Sequence, residues 1–563
     1  MKRISVYNYR RILSAFLTLV MLAGFIQLSS PRASAYTEPA SYEHTDIACI
    51  YIYTDYTINK DEYVACKIVA VDEQGGQYQT ISDSLASVKI RGNSTSSGAK
   101  KPYNFKFDSK TNLFGMGKAK KWCLLANCYE KTLIRSKMVF DFASEAGMDY
   151  VADNRYVDVY LNGVYQGNYL LTEAVEIGST RVDIDSDAND VLLELEPWEG
   201  YSNPVCYRTP KYGILLGYND PDDPTEAMKS AVNAFFTNAE TALATKNKTQ
   251  IAQYFDIDSF VNTYIVQEFF KNVDFNTSST RYYIKSGMLY AGPVWDFDLS
   301  AGNCSSTYYT YYNNVSTSGN SWEGLYCNHQ WYTVLLTCTW FKTMLYERYL
   351  ELQDMIINLY EDNLLGKNRI DSLIAENNMS FVRNYTQAGW SVNTVYSVLE
   401  RIPNSTYEGN VEYLRDWLKK RNLWLLQNWG LGDKYNLQPI SGSGYQIDGM
   451  FVKNVNANTY CAEFLAKFGS NAWIERDGIP TTSDIIRTGD CITCGGPSYQ
   501  ISVNGDVNGD GKLGIIDYIA LRLDILGIAT LEGVYKTAAD FDGNGNITVM
   551  DYISLRLKLL GLI

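Results

Sequence analysis

The sequence predicts an α+β chain of several modules, on three observations. Strand-like alternation runs through residues 36–215, and helical periodicity runs through much of 225–430. An Asp/Gly-rich pattern of twelve residues occurs twice after residue 504. The chain has 563 residues, a length that suits about two to four modules.

Residues 1–35 read as a secretory signal peptide. Lys2, Arg3, Arg10 and Arg11 form its charged end, Ile12 to Leu28 its apolar run, and Ala33-Ser34-Ala35 a small-residue cleavage site. The run is short for a membrane span, so the mature chain is expected to hold no transmembrane segment. The leader removes five basic residues and no acid, which takes the formal charge from −14 to −19. That balance argues against nucleic acid as a partner. The expectation is a secreted, extracellular protein. Its eleven cysteines are scattered and odd in number. Cys491-Ile-Thr-Cys494 has no second CxxC beside it, and the chain has only His44 and His329. Buried thiols or one hairpin disulfide therefore fit better than a zinc or thioredoxin-like site.

In 36–215, Lys89-Ile90-Arg91-Gly92-Asn93-Ser94 ends one strand, and Tyr103 to Phe107 alternates aromatics with Asn104 and Lys106. Thr132 to Gly147 has helical spacing. Tyr156 to Leu161, Asn162-Gly163 and Val164 to Thr172 make a hairpin signal. Helices are expected over Glu226 to Leu243 and Asp256 to Lys271, a strand pair over 281–296, and more helix over 333–430. Residues 436–503 are Gly/Ser-punctuated and strand-like, and read as a small β-rich module or linker with a spacer role.

The densest chemical patch runs from Asn272-Val-Asp274 through Arg281 to Trp295-Asp296-Phe-Asp298. Asp274 follows a helix end. Asp296 and Asp298 lie two apart, so a strand would put them on one face. A carboxylate at a helix exit and a carboxylate pair, joined by a hairpin, suit phosphoryl transfer. One Asp orients the acceptor hydroxyl and the others hold a metal on the phosphates. A solvated turn with structural ion pairs is the alternative.

The C-terminal repeats are Asp506-Val-Asn508-Gly-Asp510-Gly511-Lys512-Leu-Gly514-Ile-Ile-Asp517 and Asp540-Phe-Asp542-Gly-Asn544-Gly545-Asn546-Ile-Thr548-Val-Met-Asp551, 34 residues apart. Oxygen side chains fall at positions 1, 3, 5 and 12 with Gly at 6, the ligand spacing of an EF-hand calcium loop. Each loop leads into a helix pattern.

The tandem resembles a type I dockerin over 504–563. The resemblance implies two calcium ions. One is held by Asp506, Asn508, Asp510, the Lys512 carbonyl and Asp517. The other is held by Asp540, Asp542, Asn544, the Asn546 carbonyl, Thr548 and Asp551. It also implies a cohesin partner on a scaffoldin, as in cellulosomes, contacted through Ile515-Ile516 and Val549-Met550.

Residues 36–435 resemble the CotH family of atypical protein kinases, through Ile90-Arg91-Gly92-Asn93-Ser94, Lys101-Pro102-Tyr103-Asn-Phe-Lys106, Trp122 to Asn127, Leu133-Ile-Arg135, Asn162 to Glu173, Asn272-Val-Asp274 and Pro293-Val-Trp295-Asp296-Phe-Asp298. The resemblance implies a two-lobed, protein-kinase-like fold that uses ATP with Mg2+ or Mn2+ and a protein phospho-acceptor. It implies Asp274 as the catalytic Asp and Asp296, with Asp298, as metal ligands. Arg91, Lys106 and Glu173 are nucleotide-site candidates. The chain departs from ordinary kinases in having Ser279 five residues after Asp274, where a metal-binding Asn is usual, and no GxGxxG loop. Three readings stand: a scaffold-attached Ser/Thr kinase, a silent CotH fold used for binding or adhesion, and a carbohydrate-active enzyme. The last rests on the aromatic stretches Tyr308–Tyr312 and Trp322–Trp340.

Overall fold

The computed structural model describes residues 39–42, 44–305, 321–363, 365–431, 437–468, 472–477, 479–482, 484–493 and 498–563. The signal-peptide segment, Tyr308–Tyr312 and Cys494 lie outside them. Among the described residues nine strands precede residue 174: β1 (Cys49–Tyr53), β2 (Val64–Ala65), β3 (Lys67–Val71), β4 (Ile81–Asp83), β5 (Ser87–Ile90), β6 (Tyr103–Asn112), β7 (Lys118–Leu125), β8 (Asn154–Leu161) and β9 (Val164–Glu173). They form one sheet in the order β2-β5-β6-β7-β9-β8-β1-β3-β4. The β8–β9 hairpin turns at Asn162 and Gly163, with φ of 48° and 79°, the left-handed pair that an Asn-Gly hairpin turn requires. Phe105, Trp122, Leu124 and Leu170 are buried on this sheet.

Helix Arg135–Glu145 joins that sheet to the helical part of the core. Its apolar side carries Met138, Val139 and Phe142, and the Phe142 ring meets Phe269 and Phe270. The second sheet contains β10 (Val191–Leu195), β11 (Cys206–Arg208), β12 (Leu215–Asp220), β13 (Arg281–Lys285) and β14 (Met288–Ala291), in the order β11-β12-β10-β13-β14. Helices Glu226–Ala244, Ile257–Phe269, Thr339–Glu351, Arg369–Thr386 and Tyr407–Asn428 belong to the same apolar core. The architecture is mixed α/β. The Trp322–Trp340 stretch is internal packing and not a sugar-stacking wall: Tyr326, Trp331 and Tyr332 are fully buried, and Trp331 stacks on Phe236.

Residues 437–503 have their own core of Val452, Phe464, Ile474, Ile486, Ile492 and Ile501. Around it lie β15 (Gln446–Asp448), β16 (Phe451–Val455), β17 (Trp473–Arg476), β18 (Ile479–Thr481), β19 (Cys491–Thr493) and β20 (Tyr499–Val503), ordered β15-β16-β20-β19-β17-β18. The last helices are Ile515–Ile525, Gly533–Ala539 and Val549–Leu559. Leu521 and Leu555 are buried between them, and the Tyr518 and Tyr552 rings stack 4.2 Å apart. Among the described residues no helix is long and apolar enough to cross a membrane, and every cysteine is a free thiol.

Candidate active site and calcium loops

The chain around Asp274 is built to expose one carboxylate. Asp256 caps the helix Ile257–Phe269 by accepting from the Ser259 N–H. Lys271 then breaks it with φ 48°. Asn272 accepts from the Asp274 N–H and starts a single tight turn, Val273–Asn276. Asp274 therefore sits in a loop held from both sides.

The Asp296 side is held differently from the expectation. Residues 292–298 are irregular, not a strand, and Asp296 itself has φ 65°. Asp296 and Asp298 reach the same cavity through that left-handed kink rather than through strand alternation. The cavity, about 840 Å³, also receives Asp274. Ser279, at the position of the usual kinase Asn, donates its hydroxyl to Asp296 Oδ2 at 3.1 Å.

Among the described residues no donor reaches the carboxylate oxygens of Asp274 or Asp298. Burial first, and the Asp296 charge second, push the Asp274 carboxyl up to about 8. The same two causes raise Asp298 well above the carboxylate range, helped by Asp274. Asn276 is a lining residue whose amide nitrogen donates to the Tyr326 carbonyl and whose Oδ1 is buried without a hydrogen-bond partner. Three carboxylates that line one cavity offer hard oxygen donors of the kind Mg2+ or Mn2+ takes, while among the described residues only Asp540, Asp542 and Asp551 bring three acidic ligand atoms within 4.8 Å of one another.

Cations line the same cavity. Lys60, Lys89, Arg91 and Arg281 contribute to its wall. The Arg91 and Arg281 guanidinium carbons each lie 5.3 Å from the Trp295 ring centre, on the residue next to Asp296. Arg281 also pairs with Glu194 at 3.4 Å. Arg91 thus lies where the sequence predicts. Lys106 is not among the residues lining it: its ammonium lies 4.5 Å from the centre of the Tyr63 ring, over which the Lys89 ammonium also lies, at 5.0 Å. Lys89, two residues before Arg91, occupies the wall instead. Glu173 is also outside it. Its carboxylate accepts from the Asp153 N–H and faces Arg181 at 4.0 Å, and burial pushes its carboxyl up to about 7. Lys60, Lys89, Arg281 and the Asn276 amide received no role from the sequence. Lys89 had a signal, because it precedes Arg91 in a recognisable segment. Lys60 lies in a loop and had none.

The two C-terminal loops close on backbone donors in the same way. Asp506 Oδ1 and Oδ2 accept from the Asp510 and Gly511 N–H groups, as Asp540 accepts from Asn544 and Gly545. Asp517 accepts from Val507, Asn508 and Gly514, and Asp551 from Asp542 and Thr548. One ligand oxygen from each of Asp540, Asp542 and Asp551 falls within 4.8 Å of the others. Asn508 and Asp510 share an exposed loop face, and Thr548 caps its helix by accepting from the Met550 N–H. Ile515, Ile516, Val549 and Met550 are all exposed at the starts of their helices.

The CotH kinase protein family matches residues 88–425, and the type I dockerin domain matches residues 504–560. No curated protein matches the chain. The first match covers more than half of the sequence, and the chain belongs to the CotH kinase protein family, with a C-terminal type I dockerin. Dockerin domains bind calcium and imply a cohesin partner.

Proposed function

We propose that this dockerin-bearing CotH protein is an exported protein Ser/Thr kinase that uses ATP and is tethered to a scaffold-borne cohesin. The observation that carries the reading is one cavity lined both by Asp274, Asp296 and Asp298 and by Lys89, Arg91 and Arg281. That wall of cations suits phosphates better than a sugar.

In this reading Arg91, Lys89 and Arg281 hold the phosphate chain of ATP, and the Trp295 ring lies 5.3 Å from both guanidinium carbons as a cation–π neighbour. Asp296 and Asp298 would hold Mg2+ or Mn2+, which neutralises phosphate charge when bound. A cation there also offsets the repulsion that keeps Asp274 protonated, so Asp274 is ionised when it is needed. Asp274 orients the acceptor hydroxyl and takes its proton as the new O–P bond forms. The bond from the γ-phosphorus to the bridging oxygen breaks, and ADP leaves with that oxygen.

The test is transfer of labelled phosphate from ATP by purified protein, with Asp274→Asn as control. Transfer that the substitution removes supports the kinase. Nucleotide binding without transfer supports the silent binding module, the second reading that Ser279 in place of Asn favours. Reducing-sugar release with no transfer supports the carbohydrate-active enzyme.

A further inference from the structure

The two calcium loops share a pattern and a closing hydrogen-bond set, yet one is walled in and the other is not. A short strap of the β module, residues 484–489, lies against the first loop. The Thr488 N–H donates to Asp506 Oδ2 at 2.8 Å, so the position-1 ligand is held by a residue outside its own loop. The Asn458 N–H donates to the Gly511 carbonyl at 2.9 Å. A Cβ on Gly511 would stand 2.5 Å from the Ile486 carbonyl oxygen, and one on Gly509 would stand 3.0 Å from the Thr488 carbonyl. The corresponding Gly545 and Gly543 face open space. Asp506 is fully buried, whereas Asp540 is partly exposed. The contact continues into both cores. Ile486 belongs to the β-module core, Val503 runs from β20 directly into the loop, and the Gly505 N–H donates to the Ala538 carbonyl.

We infer that residues 437–503 are a clamp on the first calcium loop rather than a spacer. Calcium in loop one and the fold of the β module form one cooperative unit, and loop two, which the strap does not touch, is coupled to that module only indirectly, through helix Gly533–Ala539 and the shared core. The reason is linkage. A wall that orients Asp506 favours the ion, and an ion that fixes Asp506 and Gly511 favours the wall, by the same free energy in both directions. The clamp leaves both apolar pairs exposed, with Ile515 and Ile516 at 65% and 61% and Val549 and Met550 at 56% and 58%. Either helix start thus remains open to a partner while the clamp is closed.

Hydrogen–deuterium exchange of the full chain, with calcium and with excess chelator, tests this. Chelation is expected to speed exchange at least about tenfold in helices Ile515–Ile525 and Val549–Leu559, and by a similar factor in β16 and β20. Loss of protection in the helices alone overturns the clamp. No loss anywhere overturns the calcium assignment and the clamp with it. A matched pair of variants adds a second reading in the presence of calcium. Gly511→Ala and Gly545→Ala carry the same left-handed strain, at φ 79° and 87°, and differ in what the new methyl meets. Gly511→Ala is expected to open β16 and β20 to exchange, and Gly545→Ala to leave them protected. Equal effects of the two on the β module overturn the inference.

Discussion

The chain gathers acidic side chains in two kinds of place, and they are built on opposite principles. In the C-terminal loops the carboxylates come from within twelve residues, and backbone N–H groups of the same loop meet them. In the cavity, Asp274 and Asp298 are brought together across a hairpin, with no donor for either carboxylate among the described residues, and burial and mutual repulsion raise both acids. The first arrangement has its backbone donors in place, although burial raises Asp506 and Asp517 too, and it becomes a folding site when an ion arrives. The second is held in an unfavourable state by the surrounding core, as expected of a site that works on a bound cation and a proton. Acid count alone does not separate them; the supply of donors does.

The sharpest way to break this contrast is to remove one carboxylate from each. Asp274→Asn is expected to cut phosphate transfer by about 10²–10⁴-fold with no loss of thermal stability, because it deletes a buried repulsion. Asp551→Asn is expected to loosen 504–563 and leave transfer intact. Transfer assays beside calorimetry read both, and a large loss of stability in Asp274→Asn would make that carboxylate structural.

Next comes the frame behind the cavity. Glu268 and Arg421 form a fully buried pair that also holds the Tyr326 and Cys327 N–H groups and the Trp322 and Gly324 carbonyls. Arg421→Ala leaves Glu268 charged and unpaired, and is expected to cost about 3–5 kcal/mol in the large domain. Calorimetry with calcium present should show that transition fall while the dockerin transition stays.

Chelation is the reciprocal change. At calcium about 1,000-fold above its dissociation constant, an ion contributes about 4 kcal/mol. Removing it should erase the helical signal of 504–563 and leave the large-domain transition in place.

A smaller effect is set by pH. Below about 8, Asp274 keeps a proton that a cation must displace or outcompete. Affinity for Mn2+ should therefore rise as pH rises through 8, since both Asp274 and the raised ligand Asp298 must give up protons to the cation. A flat titration between pH 6 and 8 would show that Asp274 is already ionised. The smallest effect concerns the helix starts. Replacing Ile515-Ile516 by serines should weaken cohesin binding less than replacing that pair together with Val549-Met550, because the repeats offer similar surfaces. Full loss from the first change alone would show that only one half docks.

The calcium loops were legible because their chemistry is local. Asp506 to Asp517 carries its ligands, its turn glycine and its helix start in one stretch, and the repeat at 540 says so twice. The Asn162-Gly163 hairpin and the helix ahead of Asp274 were legible for the same reason. Asp274, Asp296 and Asp298 could be named as candidates, but not how they meet. The expected strand is an irregular segment with a left-handed Asp296, since Gly292-Pro293 ends the β14 pairing and the core decides the rest. Lys106 and Glu173 looked suitable in sequence, yet Lys106 stands one pair further along the sheet face that carries Lys89 and Asn104, over Tyr63, and Glu173 is seated at Asp153 and Arg181.

By itself, then, the sequence determined the local devices: the loops, caps, turns and alternating strands, each set by backbone sterics and short-range hydrogen bonds. Only the tertiary structure decided which cations share the cavity with the three acids, why the Asn276 amide oxygen lacks a donor, and that residues 484–489 close on Asp506. Those outcomes depend on packing between segments tens to hundreds of residues apart, where the burial of whole faces outweighs any preference a single residue carries.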